Sequence, residues 1–250
     1  MIMAKVRYLP HAPIIEAVID FQVQLASDFS IDRFDALSGV LAGQYSSPER
    51  IQSTEARLGF EGGRPIPPDA NYTVLGVRLK SPDNRAVAQF RSNGFTFNRL
   101  EPYTNWADVF SEALRLWREY VRVVGQATVT RLAVRYINRL RLPLPVPDLA
   151  KYLVAPPVVA QGLPQTIRSF LTRIVVEDGD RGQSAIVTQT LEPSAVDQHH
   201  LMVLLDIDAY REAAFAPNDP RLESVFGNLH DFKNEIFFES ITEETVELFQ

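Results

Sequence analysis

Between Ile15 and Leu25 the chain alternates in character almost without interruption. Ile15, Ala17, Ile19, Phe21, Val23 and Leu25 fall on one side, and Glu16, Asp20, Gln22 and Gln24 on the other, with Val18 among them. A period of two is the signature of a strand with one buried face. That face cannot be left in water, so the rest of the chain must cover it. Two segments of helical period can do so. Trp106 to Val124 places Trp106, Val109, Phe110, Ala113, Trp117, Tyr120 and Val124 on one side, with Asn105 as its cap and Asp108 three residues later. Pro220 to Phe238 does the same with Leu222, Val225, Phe226, Leu229, Phe232 and Ile236.

The remaining elements fall into the same order twice. In the first half the alternating strand precedes a helix from Ser30 to Tyr45. A strand over Ser53 to Phe60, a loop over Gly62 to Pro68, and strands over Tyr72 to Lys80, Ala86 to Ser92 and Phe95 to Leu100 come next. Ser81 to Asn84 and Asn93-Gly94 are the hairpin turns between the last three. In the second half the strand Val129 to Leu142 precedes a short helix near Asp148 to Leu153. Strands follow over Ser169 to Glu177, Ser184 to Leu191 and His200 to Ala209. The reading is a single α+β domain over 1–250, with a predominantly antiparallel sheet. Two long amphipathic helices cover it, and two pseudo-repeats, 1–126 and 127–250, arise by internal duplication.

Composition narrows the function classes. Cysteine is absent, which excludes disulfides, thiolate metal sites and cysteine nucleophiles. The net charge of −6 and the lack of a Lys/Arg run argue against a nucleic-acid partner. No signal-peptide pattern follows Lys5 and Arg7, and no segment has the length of a membrane span, so a cytoplasmic, soluble protein is expected.

Three strings stand out: Ala12-Pro13-Ile14-Ile15-Glu16-Ala17-Val18; Asn98-Arg99-Leu100 with Tyr103 and Trp106, followed by Arg131 to Asn138; and Leu205-Asp206-Ile207-Asp208. Together they resemble a sporadically distributed family of uncharacterised prokaryotic proteins of about this length. Arg131-x-x-x-Arg135-Tyr136-Ile137-Asn138 is the most specific part. Ala12 stands where Pro is the commoner residue in that family. The resemblance implies a family and no activity, and it transfers no catalytic residue.

The chemistry-bearing residues concentrate on two strands. Alternation puts Arg131, Arg135, Arg139 and Arg141 on one face of the Val129 to Leu142 strand. A row of guanidiniums suits phosphate, carboxylate or nucleic acid. The structural alternative is that Glu16 and Asp20, on the polar face of the first strand, bridge the arginines if the two equivalent strands pair. That alternative is preferred. Asn138 lies on the apolar face and needs partners; it is expected to lock a neighbouring loop rather than mark a polar pocket. Asp206 and Asp208 share a strand face and could hold Mg²⁺, but no third carboxylate is placed by sequence, and no other cofactor is indicated. His11, His199, His200 and His230 have no zinc-site spacing, and His230 reads as a partly buried helix histidine. Phe95, Phe97, Tyr103 and Trp106 could stack bases but are better explained by core packing. No P-loop, dinucleotide fingerprint or nucleophile elbow is present. The expected function is a non-enzymatic binding or interaction module that engages a protein partner or a second copy. The alternative is an enzyme or sensor for a phosphorylated small molecule or nucleotide, using the arginine face.

Overall fold

A computed structural model describes residues 7–61, 64–192 and 199–250. Its strands are β1 Ile14–Leu25, β2 Glu49–Glu61, β3 Arg64–Lys80, β4 Ala86–Arg91, β5 Gly94–Leu100, β6 Ala127–Pro143, β7 Leu171–Asp178, β8 Gln183–Leu191 and β9 His200–Phe215. They form one antiparallel sheet in the order β2-β3-β4-β5-β1-β6-β9-β8-β7. The two alternating strands, β1 and β6, are therefore neighbours at the centre, with Phe21 opposite Leu132 and Ile19 opposite Val134. Outward from this seam the two halves run in mirrored order, β5-β4-β3 on one side and β9-β8-β7 on the other.

The helices are α1 Leu37–Val40, α2 Trp106–Val124, α3 Leu222–Ser240 and α4 Glu243–Glu247. α2 has the bounds that its periodicity predicts. The Asn105 side chain accepts a hydrogen bond from the Asp108 backbone N–H at 2.9 Å, and Gly125 ends the helix with a φ of +77° that other residues rarely adopt. α2 and α3 cover the same sheet face, as expected. Trp117 stacks on Phe21 at 4.1 Å, Phe21 meets Phe226 of α3 at 4.7 Å, and Phe110 of α2 also reaches Phe226. At Gly94 the hairpin backbone comes so close to β1 that a Cβ would lie 2.2 Å from the Phe21 carbonyl oxygen.

Several expectations need correction. The helix over Ser30 to Tyr45 is instead a 3-10 segment, Ile31–Ala36, followed by the single turn of α1, and Ser30 makes no side-chain cap. Phe34, Leu37 and Leu41 are buried as the stripe requires, but Val40 is exposed. Spacing of three suits a 3-10 turn as well as an α-helix, and Gly43 at a φ of +78° stops propagation. The Gly/Pro-rich stretch is strand from Arg64 onward, while Gly62 and Gly63 lie outside the described residues. Here β3 pairs with β2 alone, and Pro67-Pro68 fall in the register shift between Arg57–Asp69 and Gly59–Ile66. Proline is tolerated at such a bulge because no ladder N–H is needed there. The helix near Asp148 to Leu153 is only a 3-10 turn, Leu149–Lys151. The last long helix begins at Leu222, just after Pro220, and α4 was not anticipated.

Candidate functional site

The face of the sheet away from α2 and α3 carries the arginine row. Arg131, Arg135 and Arg139 of that row each meet a carboxylate. Arg131 donates to Asp208 at 2.7 Å and lies 3.7 Å from Asp20; Arg135 grips Asp206 with two bonds of 2.8 and 2.6 Å; Arg139 grips Glu192 at 2.8 and 3.1 Å. Of the two bridging acids expected, only Asp20 approaches the row, 3.7 Å from Arg131, and the close partners are Asp208, Asp206 and Glu192. Glu16 instead accepts from Asn98 at 2.6 Å, and Asp20 accepts from Thr96 at 2.6 Å and Arg91 at 3.3 Å. Antiparallel register explains the exchange: Arg135 lies directly opposite Asp208 on β9 and Val18 on β1, so β9 offers acids where β1 offers a valine. Asp206 and Asp208, the weak Mg²⁺ candidates, are thus engaged by arginine. Burial pushes the Asp208 carboxyl upward, with Arg131 opposing, while the Asp206 contact raises the Arg135 guanidinium. Among the described residues no group of three His, Asp or Glu side chains converges as a metal site requires.

Asn138 is buried, and its amide donates to the Leu205 carbonyl at 2.9 Å, tying β6 to β9 beside the irregularity where Ile14 pairs with it. The amide thus ties two adjacent strands rather than a neighbouring loop, and the residue also lines a cavity.

That cavity, of about 760 Å³, opens at the end of the β1–β6 seam on the helical side. Four segments converge on it: the N-terminal strand approach from Arg7 to Ile14, the β5–α2 connection with Tyr103, Tyr136 and Asn138 of β6, and His230, Lys233, Asn234 and Phe237 of α3. The approach is held in place by His11, whose N–H donates to the Phe249 carbonyl, by an Arg7–Glu243 ion pair, and by the Arg139 N–H bonded to the Pro13 carbonyl. Trp106 stacks on His230 at 4.3 Å and on Phe110 at 4.8 Å. The Tyr103 and Tyr136 hydroxyls share a hydrogen bond of 2.9 Å, and burial raises both phenols above their ordinary range, so both are neutral at physiological pH.

Lys233 is the unusual member. It is 4% exposed, its Nζ sits 3.7 Å from the centre of the Tyr136 ring, and it donates to Asn234 Oδ1 at 2.5 Å. Among the described residues no carboxylate forms an ion pair with it. Burial brings its ammonium down to about 7, with a small opposing effect of Asp231. Burial, then the charge of Lys233, pushes His230 down to about 3, so its 3.6 Å approach to Asp231 is not an ion pair at neutral pH.

Sequence reasoning missed Lys233 and the cavity. The signal was present: Lys233 follows Leu229 by four and precedes Phe237 by four, so it continues the buried stripe of α3. The aromatics also divide. Phe95 and Phe97 are core residues, whereas Tyr103 and Trp106 are cavity walls. No protein-family model matches this sequence, and no curated protein matches it. No helix among the described residues is long and apolar enough to cross a membrane.

Proposed function

We propose that this protein is a small-molecule-binding module whose site is the cavity beside Lys233. The observation that carries this reading is a buried amine with which no carboxylate among the described residues pairs, lining a chamber of about 760 Å³ walled by Trp106, Tyr103 and Tyr136. Chambers of about 300–1,000 Å³ with aromatic walls and a few polar groups suit small ligands. The ligand class is a compact molecule with a flat apolar body and one oxygen-bearing head. The arginine face supports a phosphate site less well, because a phosphate would first have to displace Asp206, Asp208 or Glu192 from guanidiniums they already neutralise. The mirrored strand order around β1 and β6 supports the view that the two halves descend from one duplicated unit.

The test uses the two tryptophans. Trp117 is in the core, so a Trp117→Phe background leaves Trp106 as the reporter at the cavity wall. Benzyl alcohol, benzaldehyde and benzoate are titrated into that protein. The expected result is a saturable change in Trp106 emission with at least one of them, lost when Thr104→Phe fills the cavity rim. A linear response to all three, unchanged by Thr104→Phe, overturns the reading.

A further inference from the structure

We infer that Lys233 is a nucleophilic amine that captures the carbonyl group of an aldehyde or ketone as a Schiff base. The inference rests on the cavity being a ligand site and goes beyond it by naming the bond the ligand makes.

Three observations on the structure point the same way. The first is the choice of residue. The chain has 21 arginines and four lysines, Lys5, Lys80, Lys151 and Lys233. In the ion pairs around the central strands β1, β6 and β9, arginine supplies the cation; a lysine does so across the outer strands, where Lys80 lies 3.8 Å from Glu49. Guanidinium cannot lose its proton in a protein, whereas an amine can. The cavity holds the residue type able to become a nucleophile. The second is surroundings. Nζ meets an amide oxygen and an aromatic face, not a carboxylate. The other titratable groups lining the chamber are Arg7, Tyr8, His11, Glu101, Tyr103, Tyr136 and His230. None of them forms an ion pair with Nζ; Tyr136 offers it a ring face, His230 is neutral, and Asp231 on the same helix only partly opposes the effect of burial. Desolvation without a counter-charge favours the free amine. The third is hydroxyl chemistry. The Tyr103–Tyr136 pair lines the same chamber and supplies neutral hydroxyls able to donate to a carbonyl oxygen.

The step balances without a co-reactant. The Nζ lone pair forms a bond to the carbonyl carbon, and the C=O π pair moves to oxygen. The two amine protons pass to that oxygen, which leaves as water, and a C=N bond remains. The ligand class is a small aldehyde or ketone with an aromatic or similarly flat body. Lys151 provides an internal contrast, since Glu244 at 2.6 Å raises its ammonium above the ordinary range.

The experiment traps the imine. The full chain is incubated at pH 7 with benzaldehyde and sodium cyanoborohydride, and the benzylated positions are mapped by peptide mass spectrometry. Lys233 should be labelled at least about tenfold faster than Lys151, each unit of lowered pKa being worth a factor of ten in free amine. Its labelling should drop as the pH falls below 7 and level off above it. Lys233→Met should remove that adduct and leave the slow surface labelling, and Lys233→Arg should do the same while keeping a cation. Labelling of Lys80 and Lys151 with Lys233 spared overturns the inference. If Trp106 emission still saturates with benzyl alcohol, which has no carbonyl, only the covalent step has failed. If neither probe engages the cavity, the ligand-site reading fails with it. Saturable benzoate binding that needs Lys233 and survives Lys233→Arg, with no trapped adduct, would make the residue an anion anchor and likewise overturn the Schiff base.

Discussion

The amine of Lys233 is a cost to the fold whenever it carries a proton. Its folded value near 7 lies below the ordinary 10.5 because burial disfavours the ammonium. Above 10.5 the group is neutral in folded and unfolded chains, and no penalty exists. Between 10.5 and 7 the unfolded chain holds the proton and the folded one does not, so stability falls as pH falls, and below 7 the full penalty is present. Lys233→Met should therefore stabilise the protein by about 1–3 kcal/mol at pH 6, with the gain shrinking towards pH 10. Urea midpoints at the two pH values check this; equal gains at both would mean that the methionine merely packs better. His230 acts in the same direction in a lower window. Its value falls from 6.5 to about 3, so it contributes stability above 6.5 that is lost as the pH descends through 3. His230→Gln should flatten the acid limb of a stability profile between those limits, while leaving stability above pH 7 little changed.

At the scale of elements, Trp117 is one of two large aromatic side chains, with Tyr120, that α2 buries against the sheet. Trp117 is 3% exposed, stacks on Phe21, and donates from its indole N–H to the Pro217 carbonyl at 3.0 Å. Trp117→Ala should cost about 3–5 kcal/mol, measured as a shift in urea midpoint at constant slope. An unchanged midpoint would show that α2 repacks around the void. This helix was legible because its start signal, Asn105 with Asp108, is chemical and local, and its apolar period is unbroken to Val124. The 3-10 segment after β1 was not, because Ile31, Phe34 and Leu37 satisfy both periods. α3 was legible as a helix and only partly as a surface. Phe232 and Ile236 look like its stripe but are partly buried, while Lys233 and Phe237 take the inner positions. A lysine at a core position is discounted by any pattern that sorts residues by polarity, so the cavity it lines was invisible for the same reason. The arginine row was legible from alternation alone. Its partners were not, because strand order decides whether β1 or β9 presents the carboxylate.

Over the whole molecule, the seam between β1 and β6 is where the two mirrored halves meet, and one polar cluster bridges it on the open face. Arg131 of β6 reaches Asp208 of β9 and Asp20 of β1, and Asp20 in turn holds Thr96 of β5 and Arg91 of β4. Five neighbouring strands are thus joined through two carboxylates. The exposure of these groups decides their worth. The Arg131 side chain is 14% exposed and Asp20 16%, whereas Arg135 is 45% exposed beside Asp206. A half-exposed pair is worth about 0–1 kcal/mol even with two bonds, because water screens it and replaces it. A pair removed from water leaves its surviving carboxylate uncompensated, at about 3–5 kcal/mol. Arg131→Ala should therefore be several times more destabilising than Arg135→Ala, although both guanidiniums hold an aspartate of β9. Arg131→Ala should lie at the lower end of its range, since Asp20 keeps Thr96 and Arg91. The cluster lies on one side of the seam, and the aromatic contacts of Phe21, Trp117 and Phe226 lie on the other. Loss of the cluster should thus lower stability without uncoupling the halves. Urea unfolding of Arg131→Ala, followed by tryptophan emission and by far-ultraviolet circular dichroism, should give coincident single transitions. Two separated transitions would show that the open-face cluster, and not the aromatic core, is what joins the halves. Equal midpoints for Arg131→Ala and Arg135→Ala would show that the seam places no more weight on its buried arginine than on its exposed one.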